Sequence, residues 1–170
     1  GASIFQVRLG SGEVLSPGDK ADVLFAFYQH SYDGHIGNMR KGGILVYDSD
    51  HVEPHEERLT DYRHIGIPIS SLTVEAIGGT ARDKGKNIYA LGLIARMFGL
   101  DMAKLERLIN ERLGGKGKSV VKMAMDAFQA GYRYQSDNIS HLFRLARGGE
   151  ERANQVVMTG NEAIGYGLIA

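Results

Sequence analysis

Ala21-Asp22-Val23-Leu24-Phe25-Ala26-Phe27 and Ile44-Leu45-Val46-Tyr47 are the two stretches that decide the fold. Each is almost wholly apolar, which is how a strand covered on both faces of a parallel sheet reads. Between them the run from Tyr28 to Met39 suits a helix. Lys41-Gly42-Gly43 supplies its stop, because glycine takes the left-handed backbone that ends a helix. Strand, helix, glycine pair, strand is a βαβ unit, so Val23–Phe27 and Ile44–Tyr47 are predicted side by side and parallel, as inner strands. Ligands of such sheets collect beyond the carboxyl ends of the strands. That singles out Tyr28 and Gln29 after the first strand, and Asp48, Ser49 and Asp50 after the second, as candidate binding positions.

Working outward, Ile4, Phe5, Val7 and Leu9 predict a short strand, and Ser16-Pro17-Gly18-Asp19 a turn. His51 to Tyr62 is polar, Arg63 to Ile69 reads as a strand with Pro68 at its end or on an edge, and Leu72 to Ile77 as one or two helical turns. From Asn87 the texture becomes helical. Asn87 caps Ile88–Phe98, Asp101 caps Met102–Leu113 and Gly114-Gly115 stops it, and a third helix runs from Ser119 to Ala130 with Gly131 at its exit. Residues 135–154 form a polar linker with a helical middle at Ser140–Ala146. Gln155–Met158 restarts as an extended entry, and Thr159-Gly160-Asn161-Glu162 opens a helix that is still apolar at Ala170. The expected class is α/β: a mostly parallel Rossmann-like sheet with flanking helices over residues 1–134, the 135–154 linker, and at 155–170 the start of a second domain.

Twenty basic and twenty acidic residues cancel, which argues against a general nucleic-acid binder, since phosphate backbones demand a positive surface. The cancellation hides an asymmetry. Residues 1–80 hold six basic against eleven acidic residues, and residues 81–170 fourteen against nine, a division that can steer docking between chains. The absence of cysteine removes disulfides, thiolate zinc sites, a cysteine nucleophile and any iron–sulfur cluster held by this chain. No apolar run approaches the ~18 residues of a membrane span and no signal-peptide core opens the chain, so no membrane contact and a cytoplasmic location are expected.

Most motifs fail on spacing. Gly117-Lys118-Ser119 has the tail of a phosphate loop, but Arg112 stands where its first glycine belongs, and Gly10-Ser11-Gly12 meets Leu15 where a dinucleotide loop needs glycine. His30 with Asp33, and Asp48, Asp50 and His51, would make a metal or acid–base site if the strand ends converge; the alternative is that they solvate loop ends. In the loop Gly79-Thr80-Ala81-Arg82-Asp83-Lys84-Gly85-Lys86-Asn87, Arg82, Lys84 and Lys86 lie beside a predicted helix N-terminus. An anion or a partner carboxylate would be favoured there by charge and dipole together.

Gly1-Ala2-Ser3-Ile4-Phe5-Gln6-Val7-Arg8-Leu9, Leu15-Ser16-Pro17-Gly18-Asp19, Ala21–Phe27, Tyr47-Asp48-Ser49-Asp50 and Asn87-Ile88-Tyr89-Ala90-Leu91-Gly92 together resemble the gamma-type domain of 2-oxoacid:ferredoxin (acceptor) oxidoreductases. Their succession by Thr159-Gly160-Asn161-Glu162-Ala163-Ile164, which resembles the opening of a thiamine-dependent pyrimidine-type domain, is similar to the alpha subunits of the 2-oxoglutarate branch. The resemblance implies oxidative decarboxylation of a 2-oxoacid with coenzyme A. Thiamine diphosphate and Mg2+ would be shared with a beta subunit, and a [4Fe-4S] cluster on the beta side would pass electrons to ferredoxin. It implies no cofactor held by this chain. The family's glycine-rich segment is expected before Gly1, and its cofactor glutamate beyond Ala170, so no catalytic residue carries over. CoA phosphate or a neighbouring domain is the expected contact of Arg82, Lys84 and Lys86. Two other readings are a small-molecule-binding α/β module with its pocket at Tyr28, Gln29, Asp48 and Asp50, and a hydrolase using His30 or His51.

Overall fold

The computed structural model describes residues 4–10, 14, 16, 18–78, 85–140, 143 and 160–169. Its elements are β1 (Ala21–Ala26), α1 (Gln29–His35), β2 (Met39–Asp48), β3 (Arg63–Ile67), α2 (Ile69–Ile77), α3 (Lys86–Met97), α4 (Met102–Leu113), α5 (Lys118–Asn138) and α6 (Gly160–Ile169). The strands form a parallel sheet in the order β1-β2-β3, with Val23 opposite Ile44, Phe25 opposite Val46, and Asp48 opposite Ile67. The predicted adjacent parallel pair is thus present. Alternation along β2 sorts the core into two layers. Ile44 and Val46, with Ile67, pack against Tyr89, Leu93 and Met97 of α3 and Ala127 of α5. Leu45 and Tyr47 pack on the other face with Tyr32, Ile36, Val52 and Tyr62.

Several expectations are corrected, some of them at glycines. The helix after β1 is shorter than predicted, giving way to a single 3-10 turn at Ile36–Asn38, and β2 already begins at Met39. Gly42-Gly43 is therefore no helix stop. Arg40 to Gly43 stand opposite Asp22 in a bulge, where Gly42 takes φ 79° and a Cβ on Gly43 would lie 2.9 Å from the carbonyl oxygens of both Arg40 and Asp22. Strand β1 is not an inner strand among the described residues: it lies at the edge, only its Ala26 is buried, and Phe25 is half-buried. Ile4–Leu9 forms no strand. Gln6 and Arg8 reach back to Gly18 and Ser16, which leaves Phe5 (89% exposed) and Val7 (76%) outward. Strand β3 ends at Ile67, and α2 starts at Ile69, directly after Pro68. Gly85 (φ 90°), not Asn87, caps α3, whereas Asp101 caps α4 as predicted, its Oδ1 accepting the Lys104 N–H at 3.0 Å. Ser140 and Phe143 are not helical; the rest of the predicted 140–146 turn and Gln155–Met158 lie outside the described residues.

Helix α5 does not end at Gly131 but continues to Asn138. Glycine inside a helix costs roughly 0.5–1 kcal/mol relative to alanine, so its presence calls for a packing reason. A Cβ on Gly131 would run into the carbonyl oxygen of Tyr89, and one on Gly92 of α3 into that of Phe128. The two helices touch backbone to backbone, and the methyl-free positions set their separation. Gly131→Ala is expected to destabilise the chain by about 1–3 kcal/mol through overpacking. Gly114→Ala, in right-handed backbone with open space around it, should be neutral or slightly stabilising. Urea midpoints of the two variants check the contrast.

The same interface buries Tyr89. Burial first, then Tyr134 and Glu75, raises its phenol well above the ordinary 10.0. The unfolded chain loses this proton near the ordinary value while the folded chain keeps it, so stability is intact below about pH 10 and declines as the pH rises further. Tyr89→Phe should flatten that alkaline decline, measured as urea midpoints from neutral to strongly alkaline pH.

Candidate functional site

Parallel pairing brings the ends of β1 and β2 together, so Tyr28 and Asp48 emerge on the same side of the sheet. Asp48 is wholly buried, a state a carboxylate keeps only with donors around it. Its Oδ2 accepts the Ser70 hydroxyl at 2.6 Å, and its Oδ1 accepts the Ser70 and Asp50 backbone N–H groups, each at 3.3 Å. Lys86 supplies the countercharge, Nζ to Oδ2 being 3.8 Å. The same ammonium lies 4.1 Å from the centroid of the Tyr28 ring, a cation–π contact. Asp50 adds a second carboxylate at the start of α2, accepting the Ser71 N–H at 2.7 Å. Pro68 gives that helix no side-chain cap, and the carboxylates of Asp48, at the end of β2, and Asp50, just beyond it, satisfy its first amides instead.

The predicted residues are thus assembled, but their polar atoms are largely engaged within the chain. Gln29 clamps the following loop, donating to the Glu53 carbonyl at 3.3 Å and accepting its N–H at 2.9 Å, while also donating to Asp33 at 3.0 Å. Ser49 is exposed and its N–H goes to the Ile67 carbonyl. Lys86 is 3% exposed, facing inward; Arg82, Asp83 and Lys84 lie outside the described residues. Sequence reasoning missed Ser70, although the pair Ser70-Ser71 following Pro68-Ile69 marks a helix start at which a carboxylate can dock.

His30 and His51, both exposed, stack on the half-buried Tyr28 ring at 5.6 and 5.7 Å between centroids, making a row of three rings. His55 Nε2 instead meets Asp33 Oδ1 at 2.9 Å. An open groove of about 440 Å3 runs along Gln29, Glu53, Pro54, His55 and Glu56. Asp48 cannot reach a ligand there, since none of it is exposed. Among the described residues no three His, Asp or Glu side chains converge to hold a metal ion, and the chain offers no thiolate. The donor set does not fit an iron–sulfur cluster, and a buried carboxylate saturated with donors is suited to holding strand ends together.

Residues 1–134 match the family model described as pyruvate ferredoxin/flavodoxin oxidoreductase. The 2-oxoglutarate oxidoreductase subunit KorA of Mycobacterium tuberculosis is 27% identical over 99% of this chain and 29% of its own length. The ketoisovalerate oxidoreductase subunit VorA of Methanothermobacter marburgensis is 29% identical over 84% of this chain and 28% of its own length. Among solved structures, the 2-oxoglutarate:ferredoxin oxidoreductase of Magnetococcus marinus, with 2-oxoglutarate, coenzyme A and succinyl-CoA bound, superposes with a TM-score of 0.71 at 28% identity. It covers 94% of this chain and 27% of its own. The gamma subunit of a keto/oxoacid ferredoxin oxidoreductase from Geobacter sulfurreducens shares the fold, with a TM-score of 0.54 over 68% of this chain and 64% of its own, at 24% identity. The chain therefore spans under a third of the length of the curated relatives it matches.

Asp48→Asn is expected to cost about 3–5 kcal/mol, because it leaves the buried Lys86 ammonium without its countercharge. Lys86→Met should cost less, since three donors still face the carboxylate, and the double variant should recover part of the Asp48→Asn loss. Urea midpoints of the four proteins close the cycle.

Proposed function

Since the chain belongs to the pyruvate ferredoxin/flavodoxin oxidoreductase family, the 2-oxoacid:ferredoxin oxidoreductases, we propose that it is a noncatalytic structural and assembly part of an alpha subunit that acts on 2-oxoglutarate. The observation that carries this reading is the superposition on the Magnetococcus marinus enzyme along 94% of this chain. The choice of 2-oxoglutarate draws on the likeness to KorA, which runs over 99% of the chain and so continues past residue 134. In this reading residues 1–134 are the gamma-type domain, 135–154 a connection, and 155–170 the first elements of a thiamine-binding domain.

The assembled enzyme would convert 2-oxoacid and coenzyme A to acyl-CoA and carbon dioxide and reduce ferredoxin, with a beta subunit and the rest of the alpha polypeptide as partners, in the cytoplasm. Thiamine diphosphate, Mg2+ and a [4Fe-4S] cluster would supply the carbanion and electron chemistry from elsewhere in that assembly. This chain's own residues shape and dock. Arg82 and Lys84 are the proposed contacts to a CoA phosphate or a neighbouring domain, while Lys86 serves Asp48.

The purified chain, given 2-oxoglutarate, coenzyme A, thiamine diphosphate, Mg2+ and ferredoxin, should form no succinyl-CoA, whereas the complete alpha–beta enzyme turns over. Turnover by the chain alone would overturn the assignment. In the complete enzyme, neutralising Arg82 and Lys84 together should raise the apparent CoA constant with little change in the saturated rate. If the loop docks a domain instead, the pair should weaken subunit association more at low salt than at high salt.

A further inference from the structure

The polypeptide that follows α5 has the composition of a tether, yet two of its described residues, Ile139 and Phe143, are bound into the domain. Gln135, in the last turn of α5, is wholly buried; its Nε2 donates to the Ile139 carbonyl at 3.1 Å, and its own carbonyl accepts the Ile139 N–H at 3.0 Å. This reciprocal pair closes the helix. Ile139 then takes extended backbone (φ −122°, ψ 111°) and is 7% exposed, within the same core layer as Ile44, Val46, Leu93 and Met97. Further on, the Phe143 N–H donates to the Met97 carbonyl at 2.7 Å, satisfying the end of α3. Its ring stacks on Phe98, 4.5 Å between centroids and 6° from parallel. Phe143 also walls an open groove of about 410 Å3 with Ile44 and with Asp22, Arg40, Lys41 and Arg63, the last four at or beside the starts of the three strands.

We propose that Ile139 and Phe143 dock the polypeptide after α5 onto the domain, with Phe143 as the peg, so that the chain leaves the α/β unit at the amino ends of the strands, opposite Asp48. Three independent contacts carry this: a buried aliphatic side chain, a backbone hydrogen bond to a helix end and a parallel ring stack. A free tether would make none of them. The consequence is positional. Whatever follows residue 143 is hung from the base of the sheet, and the face around Tyr28, His30 and His51 is left clear of the exit.

Trypsin reports on the peg, because Arg144 and Arg147 follow it directly. In the 170-residue chain, Phe143→Ala and Phe98→Ala should each speed cleavage after Arg144 by about tenfold, while Phe143→Tyr, which keeps the stack, should cleave like the parent; cleavage after Arg107 and Arg112 in α4 serves as the control for global unfolding. Hydrogen exchange on the unaltered chain gives the second measurement. The Phe143 amide should be protected at least tenfold relative to an unstructured peptide. Phe143→Ala cleaved no faster than the parent with α4 intact, or an unprotected Phe143 amide, would overturn the proposal. If Phe143→Ala unfolds the whole chain, the exchange of the unaltered Phe143 amide decides the matter.

Discussion

A carboxylate with no exposed surface is the point on which the upper end of this domain depends. Asp48 is the last residue of the central strand, and four chain segments meet at it: its own turn through Asp50, the start of α2 through Ser70, the start of α3 through Lys86, and, through the Lys86–Tyr28 contact, the exit of β1. Burying an isolated charge costs several kcal/mol, so the carboxylate requires its donors and the buried Lys86 ammonium requires the carboxylate. The short bond from Ser70 carries much of the compensation. Because the donors come from different elements, satisfying one ion fixes the relative placement of two strands and two helices.

This arrangement explains why residues that look like ligands are not free to bind one. An acidic strand end beside a lysine and a tyrosine has the composition of a polar site, but the charges here face each other. The groups left outward are of another kind: imidazoles stacked on a phenol ring, and a groove with glutamates along it. Neither resembles the machinery of a decarboxylase. Under the function proposed above, with bond-making left to cofactors held elsewhere, a domain that contributes shape is chemically consistent.

Continuous apolar runs were legible, and with them the class of fold and the parallel pair, because a doubly covered strand leaves no other pattern in sequence. Asp101 was legible as a cap for the same reason: its effect is local. Glycine was not. Gly42, Gly43 and Gly131 all read as helix stops, since the left-handed backbone is glycine's commonest local use. One pair makes a bulge, and the third makes room for a neighbouring helix. Those uses depend on what lies across the gap, and sequence does not contain that. Lys86 failed similarly: three cations in one loop look alike until one of them finds a buried partner. Ile4–Leu9 had the side chains of a strand but no described neighbour to pair with.

The crossing of α3 and α5 has a consequence for how such a domain is read from its relatives. Gly92 makes room for the carbonyl oxygen of Phe128, and Gly131 for that of Tyr89. What each accommodates is main chain, which no substitution shrinks. A larger residue at one position therefore has no compensating change at the other, and the two sites are constrained separately. Correlated substitution, the usual trace of a packed pair in an alignment, has nothing to record here. A contact map inferred from covariation would miss these two approaches and find the helices only through the side chains around them, such as Leu93 and Ala127.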